Sequence, residues 1–407
     1  MCGPAVEGGW LRVRQGKVVD LGRGPLPLAS RQATVIDVPD GIIVPGLVNA
    51  HTHLEFSDMP TPLVPAGGLP AWIARLVAER RGRPQGAEGE ARVAAAIRAG
   101  LTESACAGVT AIGEIATSVP VVDYATAGPR VRVFREALGL APVTRETARR
   151  TVRIDVTRLT AAGVAAGLSP HAPYSIAAPL GRDVVAMART SRLPLAMHIA
   201  ETEAERELTS TGTGPLRELL EHLGAWSPTA PPELLPAADW ITRLARAPRG
   251  IVVHGTFLDR DPAAFSRLAR HRDRLGVVVC PRTTLALSGR LPPIAAFHDA
   301  GVRVAVGTDS RASNPDLSVL AECRTLVSAS VASPEETIHM ATHAGAWMLG
   351  FDRRAGRLAP GRPADLAVLV PLRGSADPWS DALAPDTRIA ATLRAGRVVA
   401  GSLATIG

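Results

Sequence analysis

Lysine is nearly missing from this chain: Lys17 is the only one in 407 residues, although Lys and Arg together number 45. No lysine side chain is therefore available anywhere beyond position 17. Aromatic residues are also scarce, at 3%, and the arginines behind the formal net charge of +7 are scattered rather than clustered. A nucleic-acid surface needs basic residues gathered in patches or interleaved with stacking rings, so the excess charge reads as general solvated surface and nucleic acid is excluded as a partner. The four cysteines, Cys2, Cys106, Cys280 and Cys323, contain no C-x-x-C pair. Neither a zinc knuckle nor a disulfide framework is signalled, and a reducing compartment fits. No run of about 18 uncharged apolar residues is present, and Met1 to Trp10 lacks a basic stretch followed by an apolar one. The expectation is a cytoplasmic protein with no membrane partner.

What the chain has is apolar content, 46% over a length that suits a barrel-sized domain plus a smaller module. Short Val/Ile/Leu/Ala runs alternate with longer Ala/Arg/Glu-rich stretches of helical character. The runs are Ile43 to Ala50, Val109 to Gly113, Val131 to Ala137, Val164 to Leu168, Leu195 to Ile199, Ile251 to Val253, Gly276 to Cys280 and Val302 to Gly307. Between them, helices are predicted at Glu90 to Ala105, Arg145 to Ala161, Pro179 to Thr190, Pro262 to Leu275, Asp316 to Ser330 and Pro334 to Met348. Eight strand-helix units predict an α/β fold, a (β/α)8 TIM barrel, whose chemistry sits at the C-terminal ends of its strands. Both flanks are strand-rich instead, and the simplest assembly is one small β-sandwich built from the two termini. The expected division is 1–44 and 353–407 for the sandwich and 45–352 for the barrel. Residues 56 to 70 and Trp226 to Pro236, rich in Pro and Gly, read as long loops and candidate lids.

His51-Thr52-His53 closes the first run. Residues i and i+2 share one face of a strand, so two imidazoles converge on one cation there. His198 closes the fifth run and Asp309 follows the eighth. Together these four make an N3O set suited to one divalent ion, zinc or iron, with a position left for water. A water on such an ion has its pKa lowered to about 7, a hydrolytic arrangement. Glu201, three residues after His198, is the candidate proton carrier, and His254, after the sixth run, a partner for the reacting centre. Plainer roles stay open: Glu201 as a carboxylate at a helix start, His254 as a hydrogen-bonded strand-end residue, Glu55 as a loop acid and Arg282 as a surface residue. His222, His271, His298, His339 and His343 fall in predicted helices and are set aside.

These residues sit in segments that together resemble the amidohydrolase superfamily: Pro45-Gly46-Leu47-Val48-Asn49-Ala50-His51-Thr52-His53, Pro170-His171-Ala172-Pro173-Tyr174-Ser175, His198-Ile199-Ala200-Glu201, His254-Gly255, Gly307-Thr308-Asp309-Ser310 and Gly356 to Leu366. The resemblance is to the branch of cytosine, guanine and adenosine-type deaminases and triazine chlorohydrolases. It implies one metal on His51, His53, His198 and Asp309, with Glu201 as acid/base and His254 beside the reacting centre. Branches that bridge two metals with a carboxylated strand-four lysine are excluded by the absence of any such lysine. His171 to Ser175, the segment His51 to Asp58 and Trp72-Ile73 are similar to enzymes that deaminate S-adenosylhomocysteine, methylthioadenosine and aminodeoxyfutalosine, the last belonging to menaquinone biosynthesis. That likeness implies a nucleoside contact for His171, a substrate contact for Glu55 and a carboxylate-binding role for Arg282. Cys280-Pro281-Arg282-Thr283-Thr284-Leu285 departs from the serine-asparagine pair common in adenosine-type relatives. The expected activity is hydrolytic deamination of a purine-type nucleoside, a small-molecule substrate, by a chain compatible with a homo-oligomer. The alternatives are a chlorohydrolase, amidase or cytosine/guanine deaminase on the same site and, in another class, a non-catalytic metal-binding barrel.

Overall fold

The computed structural model describes residues 5–26, 34–120, 124, 128–227, 231–372, 374–375 and 377–403; Cys2 and residues 228–230 of the Pro-rich insertion lie outside them. Eight parallel strands run in sequence order around a barrel: Leu47–Thr52, Val109–Ala116, Arg130–Ala137, Ala165–Pro170, Leu195–Ile199, Gly250–His254, Leu275–Val279 and Arg303–Val306. The eighth strand returns to the first through a parallel bridge between Thr52 and Asp309, with the amides of Thr308 and Asp309 both donating to His51 O at 3.1 Å. Closure therefore places the first strand's histidines directly beside Asp309. Inside, Val48, Ala50, Ala111, Ile115, Ala196, Ile251, Val253, Val278 and Ala305 surround the large Phe134. Met348, Leu349 and Phe351 close the end at which the strands begin.

The termini form the second unit. Ile42–Pro45, Leu366–Val370, Arg388–Arg394 and Arg397–Gly401 make an antiparallel sheet in that order. The N-terminal hairpin, Gly9–Arg14 with Lys17–Arg23, joins the C-terminal segment through Val18 N to Arg362 O at 2.9 Å and Ala364 N to Gly16 O at 2.9 Å.

The predicted first strand is corrected by this arrangement. The run Ile43 to Ala50 is divided between the two sheets at Gly46, where a Cβ would lie 2.2 Å from Thr110 Oγ1. The predicted helix Pro262 to Leu275 ends at Arg270, because Leu275 already belongs to the seventh strand. The candidate loop 56–70 leads into a helix, Gly68–Gly82, that packs on both Pro215–His222 and Pro281–Ser288. Those two helices follow strands five and seven, so a helix leaving strand one must cross the barrel mouth to reach them. Trp72 Nε1 and Leu63 N, both donating to Ala312 O, latch this roof to the loop after strand eight.

Gly307 shows how tightly the closure is built. A Cβ there would meet His51 O at 2.7 Å and His51 Cβ at 2.8 Å. Gly307→Ala is expected to cost about 1–3 kcal/mol of stability and to push His51 off the neighbouring side chains. Thermal denaturation and metal content of the variant check both effects.

Candidate active site

Four side chains from three strand ends meet at the top of the barrel. His51 and His53 present Nε2 to Asp309 Oδ1 at 3.7 and 3.6 Å, and His53 Nε2 lies 3.4 Å from His198 Nε2. The His51 ring sits 5.0 Å from those of both His53 and His198. Burial lowers the pKa of all three imidazoles, so they stand neutral with lone pairs to offer. His198 donates through Nδ1 to His171 O at 3.0 Å, which fixes its tautomer and leaves Nε2 bare. Both ring nitrogens of His51 are buried with no hydrogen-bond partner. Nitrogens of His51, His53 and His198 lie within 4.8 Å of one another, and Asp309 Oδ1 faces two of the three rings; lone pairs and a carboxylate oxygen this close repel unless a cation lies between them. The donor set therefore fits one divalent ion.

Glu201 and His254 stand on the side of strands five and six. His254 Nε2 is 3.4 Å from Glu201 Oε1, and the His254 ring lies 5.5 Å from that of His198 and 5.8 Å from that of His51. Burial first, and the Asp309 charge second, raise the Glu201 pKa well above the usual carboxylate range. A carboxylate of raised basicity beside a cation site is suited to taking and returning a proton. Glu201 precedes the N-cap Thr202 of the helix Glu203–Thr211, so it lies outside that helix's first turn.

The backbone at these positions is unusual. Ala200, His254 and Asp309 all have φ between 54° and 68°, the left-handed region that residues with a Cβ avoid, at a cost of order 1–3 kcal/mol each. Local bonds hold Ala200 and Asp309 there. Glu205, buried and with its pKa raised to about 8 by desolvation, accepts Ala200 N at 2.8 Å. Thr52 Oγ1 donates to Asp309 O at 2.7 Å.

His171 joins the cluster on its other flank, its ring 5.0 Å from that of His198. Its Nδ1 contacts Ser175 Oγ at 2.5 Å, and its Nε2 faces Glu136 Oε1 at 3.9 Å. Glu136 has a buried, unpartnered Oε1 and a pKa raised to about 7, chiefly by desolvation. Glu136, His171 and His198 also satisfy the spacing of a ligand set. His198 has only one free nitrogen, however, and cannot serve both sets at once. Glu136 was not singled out by sequence reasoning; the available signal was a carboxylate next to Arg135 at the end of the third strand.

Two expected substrate residues are engaged by other side chains. Glu55 is buried against Thr117 Oγ1, which donates to it at 2.8 Å, and Arg80 Nη2 at 3.3 Å. The carboxylate-binding expectation for Arg282 is corrected. Its Nε donates to Glu322 Oε1 at 2.7 Å, and its Nη atoms donate to Asp316 at 3.1 and 2.6 Å, so internal carboxylates occupy the guanidinium. Glu322 is fully buried. Arg282→Met would leave it without its cation and is expected to destabilise the fold by about 3–5 kcal/mol, visible as a lower denaturation midpoint with KM unchanged in the folded fraction.

Residues 42–399 match the amidohydrolase family. The chain is 30% identical to the 5-methylthioadenosine/S-adenosylhomocysteine deaminase of Halobacterium salinarum, over 82% of this chain and 74% of the relative. It is 32% identical to the aminodeoxyfutalosine deaminase of Deinococcus radiodurans, over 69% of this chain and 66% of the relative. Among solved structures, Helicobacter pylori aminofutalosine deaminase in complex with methylthio-coformycin superposes with a TM-score of 0.80 at 21% identity, covering 97% of this chain and 96% of that one.

Proposed function

Since this chain belongs to the amidohydrolase family, we propose that it is a metal-dependent hydrolytic deaminase that releases ammonia from a purine-type nucleoside. The observation that carries the reading is the gathering of His51, His53 and His198 within 4.8 Å of one another, with Asp309 facing two of them and Glu201 and His254 alongside. Similarity to deaminases of methylthioadenosine, S-adenosylhomocysteine and aminodeoxyfutalosine supports the substrate class.

His51, His53, His198 and Asp309 would hold the divalent ion, with zinc the proposed metal, and the ion would supply the Lewis acidity that makes water a nucleophile near neutral pH. Glu201 takes one proton from the attacking water and gives it to the ring nitrogen, then takes the second from the new hydroxyl and gives it to the amine, which departs as ammonia as the ring carbonyl forms. His254 hydrogen-bonds the oxygen that develops charge at the tetrahedral carbon. His171 is the nucleoside contact, and Glu55 acts on substrate through Arg80, whose side chain is 38% exposed. The Gly68–Gly82 helix excludes water from the mouth. In this reading the chemistry belongs to residues 45–352, with 1–44 and 353–407 as the small sheet domain. The chain works in the cytoplasm on a small molecule. No helix among the described residues is long and apolar enough to cross a membrane.

The purified protein, offered methylthioadenosine, S-adenosylhomocysteine, aminodeoxyfutalosine, cytosine, guanine and a chlorotriazine, is expected to release ammonia from one or more of the three nucleosides. Chloride release from the triazine with no ammonia from any nucleoside would shift the assignment to a chlorohydrolase. Metal binding with no turnover of any compound would leave a binding barrel.

A further inference from the structure

Two buried hydroxyls, which the chemistry above does not use, stand behind the Asp309 carboxylate. Ser313 Oγ lies 2.9 Å from Asp309 Oδ2, and Thr283 Oγ1 lies 3.0 Å from Ser313 Oγ. Their residues are 2% and 0% exposed, so water does not compete for these bonds. A hydroxyl has one proton to give, and a carboxylate only accepts. Ser313 Oγ has a second acceptor in reach, Ser310 O at 3.3 Å, but the shorter bond to a charged oxygen is the stronger. With the Ser313 proton committed to Oδ2, Thr283 must be the donor to Ser313. The polarity of the chain is set: Thr283 to Ser313 to Asp309.

This fixes which oxygen the site receives. Oδ2 is tied back, and Oδ1 faces Nε2 of both His51 and His53. Both hydroxyls are themselves anchored from neighbouring positions. Thr283 belongs to the helix Pro281–Ser288, and Arg282 in the same turn binds Glu322 and Asp316. Asn314, next to Ser313, donates to Glu322 Oε1 at 2.5 Å and to Thr308 O at 2.7 Å. The Cys280 to Leu285 segment thus brings one residue to the clamp and the next to the hydroxyl chain.

We infer that Thr283 and Ser313 form a positioning relay that orients Asp309 toward the divalent ion and sets the affinity for it. The inference rests on the reading of Asp309 as a metal ligand. A merely structural hydroxyl pair would contribute to folding and leave metal affinity where it was.

The test uses the full-length chain, stripped of metal and titrated with zinc against a competing chelator, with cobalt absorption reporting ligand geometry. Ser313→Ala is expected to weaken zinc binding by about 10–100-fold and to alter the cobalt spectrum. Thr283→Val is expected to weaken it on the order of threefold, and Thr283→Ser to restore it. The double variant should match Ser313→Ala alone, because both changes break one chain. Should Ser313→Ala fail to fold, the comparison of Thr283→Val with Thr283→Ser decides. Zinc affinity within twofold of the parent in folded variants, or losses that multiply in the double variant, would overturn the relay. Failure of the parent chain itself to bind zinc, cobalt or iron would instead overturn the metal reading on which it rests.

Discussion

Glu201→Gln is expected to lower kcat by about 10²–10⁴-fold while the protein keeps its metal. Glutamine preserves the size of the side chain and a carbonyl oxygen toward His254, so the packing around the 3.4 Å contact survives. It removes the ability to accept a proton from water and hand it on. Glu201 is not one of the four ion-facing groups, so metal content should match the parent. Ammonia release and metal analysis on the same sample separate the two properties. A variant that retains more than about a tenth of the parent's turnover, where loss of a positioned general base costs far more, would reduce Glu201 to a purely local packing role after strand five.

His198→Ala is expected to abolish turnover through loss of the ion. Removing an outer partner of a metal ligand costs about 10–100-fold in affinity, and removing a ligand itself should exceed that range. His198 is also the hinge of the cluster, because its ring adjoins those of His51, His53, His171 and His254. The parent chain should gain about 2.7 kcal/mol in stability at a zinc concentration one hundred times the dissociation constant. The variant should show no such gain, and added zinc should not restore ammonia release. Zinc-dependent stabilisation equal to the parent's would place the ion elsewhere.

Much of the site was legible because the barrel turns sequence order into spatial order. Eight apolar runs predict eight strands, and the polar residues that close them, His51, His53, His171, His198, His254 and Asp309, all lie at the same end. Periodicity could not divide Ile43 to Ala50, since both halves are apolar and the break depends on Thr110 crowding Gly46 from a different strand. The roof helix was hidden by Pro70, which reads as loop but is tolerated in a helix's first turn, where an amide has no intrahelical acceptor. Arg282 was misread because its partners, Asp316 and Glu322, are 34 and 40 residues away. Ser313 and Thr283 are ordinary residues in ordinary positions, and only their distances from Asp309 and from each other distinguish them.

The central claim is that His51, His53, His198 and Asp309 together hold one ion. A crystal of the zinc-loaded protein, with diffraction recorded on both sides of the zinc absorption edge, addresses it directly. The account predicts a single anomalous peak per chain, about 2.0–2.2 Å from Nε2 of the three histidines and from Oδ1 of Asp309. A peak bound to other residues, or none at these four in crystals of protein that still releases ammonia, would contradict it.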